Sequence, residues 1–167
     1  MDRLYQYVGP KEIRNRVIES NRGFHPDTVS ELRDWLGKLT KDRRPDGAIT
    51  LTFVIDETAK LRLAPRRSEH VACAGGGRVL SAGEMTFSSE LDEVVEVTNQ
   101  STGFCPEPSS WPHVERELDR LGILHPGQFT SRVTFRKCPR CGQRNLVKDD
   151  WFQCETCGAD LPHEWNF

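Results

Sequence analysis

Four cysteines near the end of the sequence are arranged as two pairs with the spacing of metal ligands. Cys138 and Cys141 form one CxxC pair, Cys154 and Cys157 form the other, and a glycine directly follows each pair. A CxxC loop brings two thiolates to one side of a tight turn, and the glycine allows the chain to turn away from them. Two such loops supply the four sulfur ligands of a tetrahedral site. The sequence therefore predicts one structural Zn²⁺, because no ligand position is left open for water.

A redox function is the alternative for a single CxxC pair, but two matched pairs favour a metal. The chain has six cysteines, and its first five residues include polar ones, Asp2 and Arg3, where a signal peptide would carry its apolar run. We therefore expect a cytoplasmic protein, whose thiols stay reduced and available to a metal.

The stretch from Cys138 to Gly158 resembles the short zinc ribbons that occur in transcription, translation and ubiquitin-related proteins, and as appendages to enzymes. That resemblance implies a fold and a metal rather than an activity. Between the two pairs, residues 145–148 and 151–153 are predicted to form two strands around an Asp149–Asp150 turn. Four aromatic residues are expected to pack together beside the metal: Trp151, Phe152, Trp165 and Phe167.

The remaining sequence predicts an α+β fold. Apolar periodicity predicts three helices. The first covers 11–20, the second runs from an N-cap at Asp27 to Leu39, and the third covers 110–122. Alternation at period two predicts strands, and these ranges are 49–55, 61–64, 78–81, 84–88, 94–99 and 129–135. We expect a small antiparallel β-sheet with two or three flanking helices and a C-terminal zinc ribbon.

Two domains are predicted along the chain. Residues 1–128 form the α+β domain, which is helical over 1–45, contains the sheet over 48–99 and the last helix over 110–122. Residues 129–167 form the zinc-ribbon module.

Composition limits the partners that this chain could have. Apolar residues make up 36% and charged residues 29%, and no run approaches the roughly 18–20 apolar residues of a membrane-spanning helix. The formal net charge is −2, so the chain as a whole has no electrostatic attraction to nucleic acid or to anionic lipid. We expect the partner to be another protein or a small ligand, and no membrane.

Small and polar residues cluster in the middle of the chain, over 66–84 and 99–106. Such residues are common where the backbone closely approaches a ligand or another segment. Five of them are the candidate residues of a ligand pocket: His70, Glu84, Asn99, Ser101 and Cys105.

The order of residues in this central region resembles a segment of plant IQ-motif calmodulin-binding proteins and of some bacterial proteins. The matching positions are His70, Gly76, Gly77, Ala82, Gly83, Ser101, Gly103, Phe104 and Pro106. The family usually has Ser-Gly-His-Tyr, whereas Thr102 here separates the serine from the glycine. The calmodulin-binding motif itself is absent, and the resemblance implies no particular chemistry.

Three functions are compatible with these features. The first is a non-catalytic binding or adaptor module with a structural zinc ion. The second is an enzyme with a pocket around the five residues above, in which Cys105 is the nucleophile and His70 the base. The third is a nucleic-acid-binding protein that uses the basic face of the ribbon, formed by Arg132, Arg136, Arg140 and Arg144.

Overall fold

An alternating pattern of apolar residues builds the central strand of a four-stranded antiparallel sheet. The computed structural model describes residues 2–167, so residue 1 of the predicted first domain lies outside the described residues. The strands are β1 (Ile49–Asp56), β2 (Leu61–Pro65), β3 (Val79–Phe87) and β4 (Val94–Val97), in the spatial order β2-β1-β3-β4. Together with the helices below, this sheet confirms the predicted α+β class.

Strand β3 is continuous, so the prediction of two separate strands over 78–81 and 84–88 is wrong. Gly83 lies in the middle of β3, opposite Phe53 of β1. A Cβ atom at this position would lie 1.9 Å from the carbonyl oxygen of Thr98. The glycine therefore lets the chain beyond β4 approach β3 closely, and it does not end the strand.

Two amphipathic helices cover one face of the sheet. They are α2 (Val29–Lys38) and α4 (Trp111–Leu121), and a short 3₁₀ turn precedes α4 at Pro108–Ser110. Leu32 of α2 and Leu118 of α4 are fully buried, in one cluster with the apolar side chains of β1 and β3. Both helices agree with the apolar periodicity of the sequence.

The ends of these helices follow from local chemistry. Helix α2 begins after Thr28 rather than after Asp27, because Thr28 and Glu31 form a reciprocal capping box. Helix α4 ends at Gly122, whose φ of +67° lies in the left-handed region that favours glycine. A second 3₁₀ turn, Thr40–Asp42, follows α2 and leads toward β1.

The first predicted helix, over 11–20, is much shorter in the structure. Helix α1 covers only Lys11–Arg14 and buries none of its side chains, and a 3₁₀ turn follows at Glu19–Asn21. Ile18, expected on the apolar face, is 57% exposed. A helix with so little buried surface gains too little from packing to extend.

The second face of the main sheet is divided into an apolar half and a polar half. Helix α3 (His70–Cys73), which the sequence did not predict, lies over the apolar half with Tyr5 and Phe104. The polar half displays threonines and Glu84, and it remains open. Antiparallel sheets commonly leave such a face in contact with water.

A separate two-stranded sheet lies in the C-terminal part of the chain. It consists of β5 (Thr134–Lys137) and β6 (Arg144–Val147), and the first CxxC pair lies in the loop between them. The predicted strand over 151–153 is wrong, because only Gln153 forms an isolated bridge, with Asp160. None of the helices within residues 2–167 combines the length and the apolar character that crossing a membrane requires.

Candidate metal centre and candidate ligand residues

The four cysteines of the two CxxC pairs come together at one point. Their sulfur atoms all lie within 4.8 Å of one another, and none of them is in a disulfide. Sγ of Cys138 lies 3.6 Å from Sγ of Cys157, and Sγ of Cys141 lies 3.6 Å from Sγ of Cys154. Ligands at about 2.3 Å from a tetrahedral zinc ion are about 3.8 Å apart. The spacing of the sulfur atoms therefore fits a four-coordinate metal ion.

The two CxxC loops have the same backbone conformation. Gly142 and Gly158 have φ values of +76° and +71°, as a chain leaving a tight turn requires. Their amides donate hydrogen bonds of 2.9 Å to the carbonyl oxygens of Cys138 and Cys154 respectively. The repeated turn presents two sulfur atoms from each loop to the same point.

Asn145 connects the two loops, a role that the sequence did not reveal. Its side chain is 3% exposed, and its Nδ2 lies 3.0 Å from the carbonyl oxygen of Gln143 and 3.6 Å from Sγ of Cys154. Its Oδ1 accepts a hydrogen bond of 3.1 Å from the amide of Glu155. Such contacts around metal ligands hold them in orientation.

Hydrogen bonds around two of the four sulfur atoms, those of Cys138 and Cys154, favour their ionised form, which is the form that binds metals. The amide of Cys141 donates to Sγ of Cys138 and lowers the pKa of that thiol. Burial raises the pKa of Cys154, but the amides of Cys157 and Thr156 outweigh burial and lower the pKa to about 6. At Cys141 the amide of Gln143 lowers the pKa, but desolvation and the three neighbouring sulfur atoms outweigh it and raise the pKa to about 12. The environment thus favours negative sulfur at two of the four positions.

The segment that carries the cysteines is attached to the rest of the α+β fold by polar contacts. Arg136 of β5 is 4% exposed and forms a bidentate ion pair with Glu107, at 2.7 and 3.2 Å. Its guanidinium also donates to the carbonyl oxygen of His163. Near the C-terminus, Trp165 Nε1 donates a hydrogen bond of 2.9 Å to the carbonyl oxygen of Cys105. Both ends of the segment are therefore anchored on the domain.

The four aromatic residues expected beside the metal do not form one cluster, so that prediction is wrong. Phe152 packs next to the cysteines, with its ring 4.2 Å from that of His163. Trp165 and Phe167 instead contact the main domain, and Trp151 is 66% exposed. Of these four aromatic residues, Phe152 alone packs against the candidate metal site.

The candidate ligand residues Asn99 and Ser101 are fully enclosed in the protein. Asn99 Nδ2 donates to the carbonyl oxygens of Pro106 and Val133, at 2.8 and 2.7 Å, and its Oδ1 accepts from the amide of Val133 at 2.8 Å. Ser101 is 1% exposed, and its hydroxyl has no hydrogen-bond partner among residues 2–167. The side chain of Asn99 therefore joins the loop before α4 to the chain that enters β5.

The other three candidate ligand residues lie in different surroundings. His70 Nε2 lies 3.0 Å from the carbonyl oxygen of Gly83, and burial lowers the pKa of this histidine. Cys105 is fully buried, and burial raises the pKa of its thiol to about 12. Glu84 borders an open groove of about 560 Å³ on the polar half of the sheet and pairs with Arg66 at 3.1 Å. Asn99, Ser101 and Cys105 are thus closed to solvent, whereas Glu84 lies at an open groove.

Three of the four arginines of the predicted basic face contact other residues of the chain. Arg136 is buried against Glu107, Arg144 donates to the carbonyl oxygen of Thr102, and Arg132 contacts Gln128. The structure shows no comparable contact for the exposed Arg140 within residues 2–167. The four arginines therefore do not form one free cationic surface.

No family model matches the chain, and no curated protein or solved structure is significantly similar to it. These comparisons confirm neither the resemblance to zinc ribbons nor the resemblance to IQ-motif proteins.

Proposed function

We propose that this chain is a non-catalytic binding module whose C-terminal segment is held in place by one structural Zn²⁺. The observation that carries the proposal is the group of four cysteine sulfur atoms within 4.8 Å of one another. A tetrahedral set of four thiolates is typical of structural zinc and leaves no position for a substrate or a reactive water. We therefore interpret the segment as a zinc ribbon.

The ion would supply most of the stability of this segment. Around the cysteines, Leu161 is the one other buried apolar residue, and Val147, Phe152 and Ala159 are only partly buried. So small an apolar cluster contributes too little to fix the chain by itself, whereas metal binding contributes folding free energy directly. With the ion bound, the ribbon would keep Arg136 and Trp165 in their contacts with the domain.

The environment of the candidate catalytic residues supports binding rather than catalysis. Cys105 would have to ionise to act as a nucleophile, and a pKa of about 12 leaves it protonated at neutral pH. The Asn99 side chain already bonds with three backbone groups, which leaves it little capacity to contact a substrate. We propose that the partner is a small ligand.

Removal of the metal tests the structural role of zinc. When a chelator removes the ion, we expect the amide chemical shifts of residues 138–161 to move into the narrow range typical of a disordered chain. Those of β1 and β3 should remain dispersed, because their core does not include the cysteines. Co²⁺ added to the stripped protein should give the visible absorption of a tetrahedral thiolate site. A ribbon that stays ordered without metal would contradict the proposal.

Thiol reactivity tests the non-catalytic role. In the zinc-loaded protein at pH 7.5, iodoacetamide should modify Cys105 and Cys73 much more slowly than a free cysteine, because burial raises both pKa values to about 12. Rapid alkylation of Cys105, with Cys73 unreactive as an internal reference, would instead favour the enzymatic function.

A further inference from the structure

A second concave surface lies beside β2, the edge strand of the main sheet, and differs from every site predicted above. It has a volume of about 770 Å³, within the usual range of small-molecule sites. Leu63 and Ala64 of β2 form part of its lining, and Ile13 and Val17 of the N-terminal segment add further apolar surface. Because Leu63 and Ala64 are buried, the apolar surface that these residues offer a ligand comes mainly from Ile13 and Val17.

One part of the cavity lining is aromatic. The rings of Phe24 and Trp35 are stacked, with centroids 5.1 Å apart and planes inclined by 16°. Both side chains line the cavity and are only partly buried. The exposed part of this aromatic pair is a surface on which a planar ligand ring could stack.

The side chains that line this cavity carry more positive than negative charge, although the net charge of the protein is −2. Its lining includes Arg16, Arg22 and Arg67 but a single carboxylate, that of Glu69, which gives a net charge of +2. Arg16 has no carboxylate of residues 2–167 within 4 Å. Arg22 lies 3.5 Å from Glu19 and 3.9 Å from Asp56, and Arg67 lies 2.9 Å from Asp42. The uncompensated charge of Arg16 and the looser pairing of Arg22 favour an anionic ligand.

The groove around Glu84 lacks this combination. Its two arginines, Arg44 and Arg66, each have a glutamate of the same groove within 3.5 Å, and threonines dominate the rest of its lining. It contains no aromatic ring. Antiparallel sheets commonly have one face in contact with water, so this groove does not imply a ligand.

We propose that the cavity beside β2 binds a mononucleotide, with the base against Phe24 and Trp35 and the phosphate at Arg16 and Arg22. An arginine fork matches the geometry of phosphate oxygens, and an aromatic surface accepts the π-face of any base. A nucleotide combines the two chemical groups that this lining recognises. The inference rests on the binding role proposed above and specifies the ligand class.

The test is a titration of ¹⁵N-labelled, zinc-loaded protein with AMP, followed by the chemical shifts of the amides. We expect the shifts to be confined to residues 13–24 and to the parts of α2, β2 and α3 that border the cavity. Adenosine and inorganic phosphate, titrated separately, should each bind at least tenfold more weakly than AMP, because each lacks one of the two recognised groups.

Charge variants make the assignment specific. Arg16→Gln should weaken AMP binding about tenfold or more, the usual cost of losing a hydrogen bond to a charged group. This variant should fold normally, because Arg16 is exposed and forms no ion pair within residues 2–167. Arg33→Gln, on the exposed side of α2 and outside the cavity, is the matched control and should bind AMP like the unchanged protein.

Three results would overturn the inference: no shifts at millimolar AMP, shifts at other surfaces, or equal effects of the Arg16 and Arg33 substitutions. The zinc content and the dispersion of the spectrum are measured on the same samples. If the folded, zinc-loaded protein shows no chemical-shift changes with AMP, the nucleotide site alone is refuted. If the purified chain contains no zinc, the proposed structural metal is refuted.

Discussion

Replacing Asn99 with alanine tests whether this residue belongs to a ligand pocket or to the framework of the fold. In the structure its amide group exchanges three hydrogen bonds of 2.7–2.8 Å with the backbone of Pro106 and Val133. The residue is 0% exposed, so water does not replace these bonds when the side chain is removed. We therefore expect the substitution to lower the stability of the folded state.

The magnitude follows from the groups that lose their partners. Alanine leaves the amide of Val133 and the carbonyl oxygens of Val133 and Pro106 without the hydrogen bonds of Asn99. An unsatisfied buried group costs about 1–3 kcal/mol, so we expect a loss of about 3–6 kcal/mol after some local rearrangement. Small domains are stable by about 5–15 kcal/mol, so the variant would be severely destabilised.

Urea denaturation followed by circular dichroism measures this change. Asn99→Asp is the matched variant: it keeps an oxygen that can accept from Val133 but loses the amide that donates to the two carbonyl oxygens. It should also be strongly destabilised. Gln100→Ala, at the exposed neighbouring position, should change the free energy of unfolding by less than about 0.5 kcal/mol. A loss below about 1 kcal/mol for Asn99→Ala would refute the framework role.

Three further predictions concern the glycine inside β3, the titration of Asp56 and the ion pair of Arg136. Gly83→Ala should destabilise the protein by about 3 kcal/mol or more, because its Cβ would lie 1.9 Å from a backbone oxygen. Gly37→Ala in α2, with open space around its Cβ, should be neutral or stabilising, and thermal denaturation compares the two. Burial raises the pKa of Asp56, but hydrogen bonds from Thr58, Lys60 and Arg62 outweigh it and hold that pKa below the ordinary value of 3.8. The stabilisation by Asp56 is thus present above pH 3.8 and is lost as the pH falls through the pKa of the folded state. The free energy of unfolding of Asp56→Asn should therefore decrease less than that of the unchanged protein as the pH falls below 3.8. Arg136→Gln should lower the free energy of unfolding by about 3 kcal/mol by leaving Glu107 unpaired; an unchanged urea midpoint would contradict the role of this ion pair.

The elements that follow from local patterns could be predicted from the sequence. The alternation over 49–55 and the apolar stripe from Val29 to Leu39 identified β1 and α2, and Gly122 marked the end of α4. The two CxxC pairs identified the four cysteines that lie together in the structure. In each case neighbouring residues along the chain carry the information, through propensity, capping or ligand spacing.

The errors arose where distant contacts decide the structure. The predicted strands 78–81 and 84–88 leave Gly83 between them, but it lies inside β3, where the close approach of the Thr98 backbone requires a glycine. The hairpin beside the first CxxC pair uses β5, which precedes that pair, rather than residues 151–153. The ion pair of Arg136 with Glu107 and the cavity beside β2 were missed for the same reason, since each depends on partners far away in the chain. The role of Asn145 depends on the two CxxC loops lying side by side, which ligand spacing alone does not reveal.

Metal analysis of the purified protein tests the central claim most directly. The four-sulfur site predicts about one zinc ion per chain, and Cys141→Ser should lower this content strongly because it removes one of the four ligands. Cys73→Ala, which removes a cysteine outside the site, should retain one zinc ion. A purified protein whose residues 138–161 are ordered but which contains no zinc, or one that keeps its zinc after Cys141→Ser, would contradict the account.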